Sequence, residues 1–156
     1  MSNFGWTHED VRAAQERAKA NPKPQTPKPK QKTQTESQIQ SACVEWFRAR
    51  FPEFRLNLFS VPNGAMLAGD GKRRAMRWAI LEREGAVAGA SDLFLSVPSG
   101  DYFGFYIEMK RPGQKRTATQ VAFQDAQRVV GYAVTVCTSL EAFTEVVQSY
   151  FIGETI

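Results

Sequence analysis

Between residues 91 and 110 the chain alternates polar and apolar side chains twice, with a turn between the two runs. Ser91-Asp-Leu-Phe-Leu-Ser-Val97 leads into Pro98, Ser99, Gly100 and Asp101, and Tyr102 to Lys110 alternates again. This is hairpin patterning. A three-residue loop at 99–101 makes paired positions sum to 200, so Val97 faces Phe103, Leu95 faces Phe105 and Leu93 faces Ile107. One face is then wholly apolar. The same register sets Asp92 opposite Glu108 on the other face, where opposed Cβ atoms lie about 4.5–5.5 Å apart. Lys110, two residues on from Glu108, points to the same side. A slip of one residue would scatter both the apolar pairs and the charged cluster, so the hydrophobic pattern itself selects this register.

Elsewhere the periodicity alternates between helix and strand. Residues 1–20 predict a short, weakly amphipathic helix around Val11 to Ala20, which the proline-rich stretch from Asn21 to Lys30 cannot continue. Glu36 to Arg50 carries Ile39, Cys43, Val44, Trp46 and Phe47 largely at helical spacing, with Pro52 as the stop. Phe54 to Val61 alternates as a strand closed by Pro62, Asn63 and Gly64. Asp70 to Glu84 reads as a helix with Asp70 as N-cap and Gly85 beyond its end. After the hairpin come a helix from Thr117 to Val130 and a strand from Tyr132 to Cys137. Thr138-x-x-Glu141 forms a capping box that opens a last helix to about Phe151. The order predicts an α/β fold, a small mixed sheet flanked by helices.

With 156 residues the chain has room for one domain with a core. No apolar run approaches a membrane span and the N-terminus lacks signal-peptide order, which predicts a soluble protein of the cytoplasm. Cys43 and Cys137 fall in apolar patterns without metal-ligand spacing, and His8 is the single histidine. Buried thiols are expected. The net charge of +4 sits in residues 1–35, with seven Lys or Arg against three acids, while residues 36–156 balance at thirteen each. Residues 1–35 therefore read as a basic, Pro/Lys-rich flexible arm, serving either as a solubilising tail or as an attraction to nucleic-acid phosphates. Residues 36–156 are the expected domain. Within it, basic clusters flank the acidic hairpin centre: Arg48, Arg50, Arg55, Lys72, Arg73, Arg74 and Arg77 before it, and Lys110, Arg111, Lys115 and Arg116 after it.

Two carboxylates and an amine on neighbouring strands suit metal-dependent phosphodiester hydrolysis, although any surface hairpin can carry solvated charges. The order of elements, with Asp92 followed after fifteen residues by Glu108-Met-Lys110, resembles the αβββαβ core of the PD-(D/E)XK nucleases. Glu36 in the first helix of that core, Val61-Pro-Asn-Gly64, Gly89-Ala-Ser-Asp92, Gly113 and Gln120 extend the likeness. Over roughly residues 36–150 the chain resembles the VRR-NUC (virus-type replication-repair nuclease) family. Ser91 stands where a proline often precedes the aspartate.

The resemblance implies a Mg²⁺- or Mn²⁺-dependent endonuclease acting on DNA, structure-selective for branched or four-way (Holliday) junctions. It also implies a homodimer and a setting in a bacterial or phage-infected cell. Asp92 and Glu108 would hold the ion, with the main-chain carbonyl of Met109 as a further ligand. Lys110 would orient or deprotonate the attacking water, or else form a structural ion pair with the acids. Glu36 would either join the metal site or merely complement its helix dipole. Gln120 would either touch the water or phosphate, or serve only as the box partner of Thr117. Lys72, Arg73, Arg74 and Arg77 occupy the first half of a helix, where the dipole disfavours cations, so a phosphate contact or a solvated basic face is expected. Arg111, Lys115, Arg116 and Asn63 complete the expected DNA surface. The rival expectation is a nucleic-acid-binding module of the same fold without turnover.

Overall fold

The computed structural model describes residues 7–20, 34–61 and 70–156. Asn63, its neighbours Pro62 and Gly64, and the proline-rich segment from Asn21 lie outside the described residues. The elements in chain order are α1 (His8–Lys19), α2 (Glu36–Arg50), β1 (Leu58–Ser60), α3 (Gly71–Arg83), β2 (Leu93–Leu95), β3 (Phe105–Met109), α4 (Ala118–Val129), β4 (Ala133–Cys137) and α5 (Leu140–Phe151). The strands form one sheet in the order β1-β2-β3-β4. The first two pairings are antiparallel and the β3–β4 pairing, bridged by α4, is parallel. This is the mixed sheet expected from the pattern.

The hairpin register is the one read from the sequence: Leu93 pairs with Ile107, Phe94 with Tyr106 and Leu95 with Phe105. Leu58, Leu93, Leu95, Phe105, Ile107, Met109 and Cys137 are buried in one continuous core with Ile39, Cys43 and Phe47 of α2 and with Phe143, Val147, Tyr150 and Phe151 of α5. Each large apolar side chain so enclosed contributes about 1.5–3 kcal/mol. The opposite face carries Phe94 and Tyr106, whose rings lie 4.4 Å apart, and Phe123 of α4 meets Tyr106 edge-on. α4 therefore covers the face to which Asp92, Glu108 and Lys110 belong by parity.

Several expectations are corrected. Residues 8–19 are not part of a loose arm: Ala14 is fully buried in the core, and Arg17 makes two hydrogen bonds to Glu53. Strand β1 is shorter than the alternation suggested. Pro52 starts a 3-10 turn, Pro52–Phe54, which buries Phe54 and leaves Leu56 exposed. Val97 is buried but Phe103 is 67% exposed, so the two do not form a core pair. Tyr150 donates its hydroxyl to Val97 O, and Ser99 Oγ donates to Tyr150 O, both at 2.6 Å, which draws the hairpin tip onto α5. At the tip Ser99 bridges Tyr102, a pair offset by one from the ladder below, and the Phe103 N–H turns to Gly131 O. The extra residue is absorbed there as a bulge. The last helix is capped by Ser139 rather than Thr138, with the Ser139 hydroxyl accepting from the Ala142 N–H. Both cysteines are free and buried, and burial pushes each thiol up to about 12. Among the described residues no helix is long and apolar enough to cross a membrane.

Candidate active site

One step beyond the β2–β3 ladder, Asp92 and Glu108 are the next opposed positions. Asp92 is fastened twice to its surroundings: its main-chain carbonyl accepts from the Val61 N–H at 2.9 Å, and Oδ2 accepts from the Met109 N–H at 2.8 Å. The second bond lays the aspartate carboxylate across the strand that carries Glu108. The approach of the preceding loop depends on Gly89. At φ 82° it passes so close to the start of α4 that a Cβ would stand 2.4 Å from the carbonyl carbon and oxygen of Thr119. Only glycine combines that dihedral with that approach.

Glu108 is fully buried, and its two oxygens differ. Oε1 receives Lys110 Nζ at 2.7 Å and Gln120 Nε2 at 2.5 Å. Oε2 is buried and has no hydrogen-bond partner among the described residues. Such an oxygen costs free energy unless something cationic or protic meets it. Burial pushes the Glu108 carboxyl above the ordinary carboxylate range; the Lys110 hydrogen bond opposes the shift and the Asp92 charge adds to it.

For Lys110, burial alone would lower the ammonium pKa. The hydrogen bond to Glu108 and the charges of Glu108, Glu36 and Asp92 outweigh it, so the net direction is upward. The protein by itself therefore presents a protonated lysine.

Gln120 is the box partner of Thr117, and it also makes a contact the sequence did not predict. Its oxygen accepts from the Thr117 N–H at 2.9 Å, completing the capping box, while its amino group reaches Glu108. Glu36, the first residue of α2, also arrives at the cluster. Its Oε1 lies 4.0 Å from Lys110 Nζ and accepts from the Arg111 N–H at 3.3 Å. With its amide turned so that the nitrogen faces Glu36, Gln114 also donates to it and accepts from Arg111 Nη2 at 2.8 Å. Glu36 is thus held by donors, and among the described residues no three His, Cys, Asp or Glu side chains are grouped so as to hold a metal ion. Asp92 with the unpartnered Oε2 of Glu108 is nonetheless a donor set suited to a hard divalent cation, since both supply carboxylate oxygen. A groove of about 540 Å³ opens beside Asp92 and Glu36, walled by Gln40, Val44 and Arg48 and bordered by Phe59 of β1.

The basic residues fall into two groups. Arg111, Lys115 and Arg116 lie exposed in the segment between β3 and α4, and Arg116 Nη1 donates to Gln124 at 2.7 Å. Lys72, Arg73, Arg74 and Arg77 are all exposed on α3, whose N-cap is Asp70 as expected. Gln114, Gln124 and the close approach at Gly89 escaped functional reading of the sequence. The i,i+4 spacing of Gln120 and Gln124 was the available signal, because it places both on one helix face.

No protein-family model matches the chain, and no curated protein matches it. A solved structure described as a "VRR_NUC domain protein" superposes on it with a TM-score of 0.65 at 21% identity, over 81% of this chain and 96% of that one. The chain is similar to it in fold, which agrees with the resemblance read from the motifs.

Proposed function

We propose that the protein is a divalent-metal-dependent endonuclease that hydrolyses DNA phosphodiester bonds, with branched or four-way-junction DNA as substrate. The observation that carries this reading is Glu108: a fully buried carboxylate with one oxygen bound by Lys110 and Gln120 and the other without a partner among the described residues. A purely structural glutamate gains nothing from that half-satisfied state. The likeness in fold to a VRR_NUC domain protein adds support.

In this reading Asp92, Glu108 and the Met109 carbonyl would hold Mg²⁺ or Mn²⁺. The ion, when bound, supplies Lewis-acid stabilisation of phosphate charge and eases deprotonation of water. Gln120 and Lys110 fix the direction of the Glu108 carboxylate. Lys110, charged and hydrogen-bonded, orients the attacking water and offsets negative charge as the phosphate becomes pentacovalent. Its use as a base would require the neighbouring carboxylates to be neutralised first, since they are what raises it. Glu36 holds the Arg111 main chain and helps set Lys110, a positioning role. A homodimer would present two such centres to the two equivalent strands of a symmetric junction.

The test is a cleavage panel of linear, flap and four-way-junction DNA with Mg²⁺, Mn²⁺ or chelator. Metal-dependent nicking that is strongest on branched DNA is expected; no cleavage of any substrate would reject the enzyme. The engagement of Glu36 by donors favours a second reading, a DNA-binding module of the same fold without turnover. The same panel separates the two, because a binding module shifts junction DNA without cutting it.

A further inference from the structure

Helix α4 presents two glutamines one turn apart, and each turns its side-chain oxygen on the segment that leads into the helix. Gln120 accepts from the Thr117 N–H at 2.9 Å, and Gln124 accepts from Arg116 Nη1 at 2.7 Å. A guanidinium only donates, so this contact alone fixes which way the Gln124 amide faces. Gln124 is fully buried and its Nε2 is without a partner among the described residues, whereas Arg116 is exposed.

Stability does not account for this pair. A buried amide with one half unsatisfied is unfavourable, and a methionine would fill the same space. Holding an exposed arginine also removes rotamer freedom from a long side chain. What the pair does produce is a guanidinium of set direction, one residue before the N-cap of the helix whose first turn grips Glu108. Its remaining N–H groups face no competing bond to Gln124, and a guanidinium matches phosphate oxygens in planar, bidentate fashion. The positive end of α4 lies beside it.

We propose that Gln124 is a positioning residue that fixes Arg116 as a clamp for a backbone phosphate flanking the one cleaved. The inference rests on the phosphodiesterase reading above and names a subsite within it. Four variants of the full chain test it: Arg116→Gln, Gln124→Met, Gln124→Glu and the double variant Arg116→Gln/Gln124→Met. Affinity for a dye-labelled four-way-junction DNA is read by anisotropy in chelator over a salt series, and KM and kcat are read in Mg²⁺.

Arg116→Gln should weaken binding about tenfold and flatten the salt dependence by about one phosphate contact. Gln124→Met should weaken it nearly as much, with KM rising and kcat held within about twofold. Gln124→Glu keeps an acceptor for Arg116 and should stay within about twofold of the parent. The double variant should be no weaker than Arg116→Gln alone, since the two residues act as one unit. Binding by Arg116→Gln within twofold of the parent, or losses that multiply in the double variant, would overturn the proposal. If Gln124→Met melts early, Gln124→Glu decides, and a loss as large as that of Arg116→Gln overturns it. A parent protein that binds no DNA sinks the functional reading and this inference together, whereas a parent that binds and cuts while Arg116→Gln is indifferent sinks only the inference.

Discussion

Helices α4 and α3 both begin with a side-chain cap, and both carry residues expected to meet DNA, yet they are held very differently. The first turn of α4 is tied to the site through Gln120 and Glu108, its second through Gln124 and Arg116, and the Gly89 loop presses on its backbone. α3 has no buried residue at all, and Met76 and Ile80 stand 69% and 47% exposed beside its basic side chains. The difference matches the two tasks that DNA hydrolysis would impose. Groups that meet the reacting phosphate need directions set to a fraction of an ångström. Groups that attract a polyanion need only charge, which acts over about a Debye length.

The sharpest way to break this contrast is to remove members of the rigid side. Glu108→Ala and Lys110→Ala should each lower the cleavage rate by about 100–1000-fold, with the fold checked by circular dichroism. Retained cleavage in either variant would place the chemistry elsewhere. Gly89→Ala attacks the same side from behind. A Cβ at φ 82° and 2.4 Å from Thr119 must displace the loop or α4, so a loss of roughly 1–3 kcal/mol in thermal or urea unfolding is expected, together with a large fall in cleavage.

A third measurement exploits the raised Glu108 carboxyl. A folded value above the unfolded one means that this group's contribution to stability is complete at low pH. It is lost as pH rises from the ordinary carboxylate range through the folded value. Lys110, raised as well, keeps its charge throughout that window. Mg²⁺ should therefore stabilise the fold at neutral pH, by about 2.7 kcal/mol at 100 times its Kd, read as a rise in melting temperature. That gain should vanish on acidification at a pH above where an ordinary carboxylate titrates. An equal Mg²⁺ shift at all pH values would argue against Glu108 as a ligand.

On the loose side, neutralising Arg73, Arg74 and Arg77 together should weaken junction binding about tenfold and flatten its salt slope, while the unfolding free energy moves by less than about 1 kcal/mol. An unchanged slope would exclude α3 as a DNA surface. The smallest effect is expected from Ile80→Lys, within about 0.5 kcal/mol in stability; a larger loss would show that α3 packs on a partner.

Much of the site was legible because it lies on a hairpin. The Leu93–Ile107 and Leu95–Phe105 pairs could be read from period-two alternation, and they carry Asp92, Glu108 and Lys110 with them. Caps at Asp70 and Thr117 were legible for the same local reason. Where sequence reading failed, a distant partner had intervened: Tyr150 drew Val97 and Ser99 toward α5, Gly131 took the Phe103 N–H, and Ala14 brought a supposed arm into the core.

Taken alone, then, the sequence determined what depends on neighbours within a few residues or on the parity of a paired strand: the helices, the hairpin register, and the company kept by two acids and a lysine. Tertiary structure alone decided that Glu108 is buried with one oxygen unmet among the described residues, that the acids around Lys110 outweigh its burial and raise it, that Glu36 accepts from Arg111, and that Gln124 holds Arg116. Each of these depends on desolvation or on a hydrogen bond between elements distant in the chain, and neither leaves a mark on local periodicity.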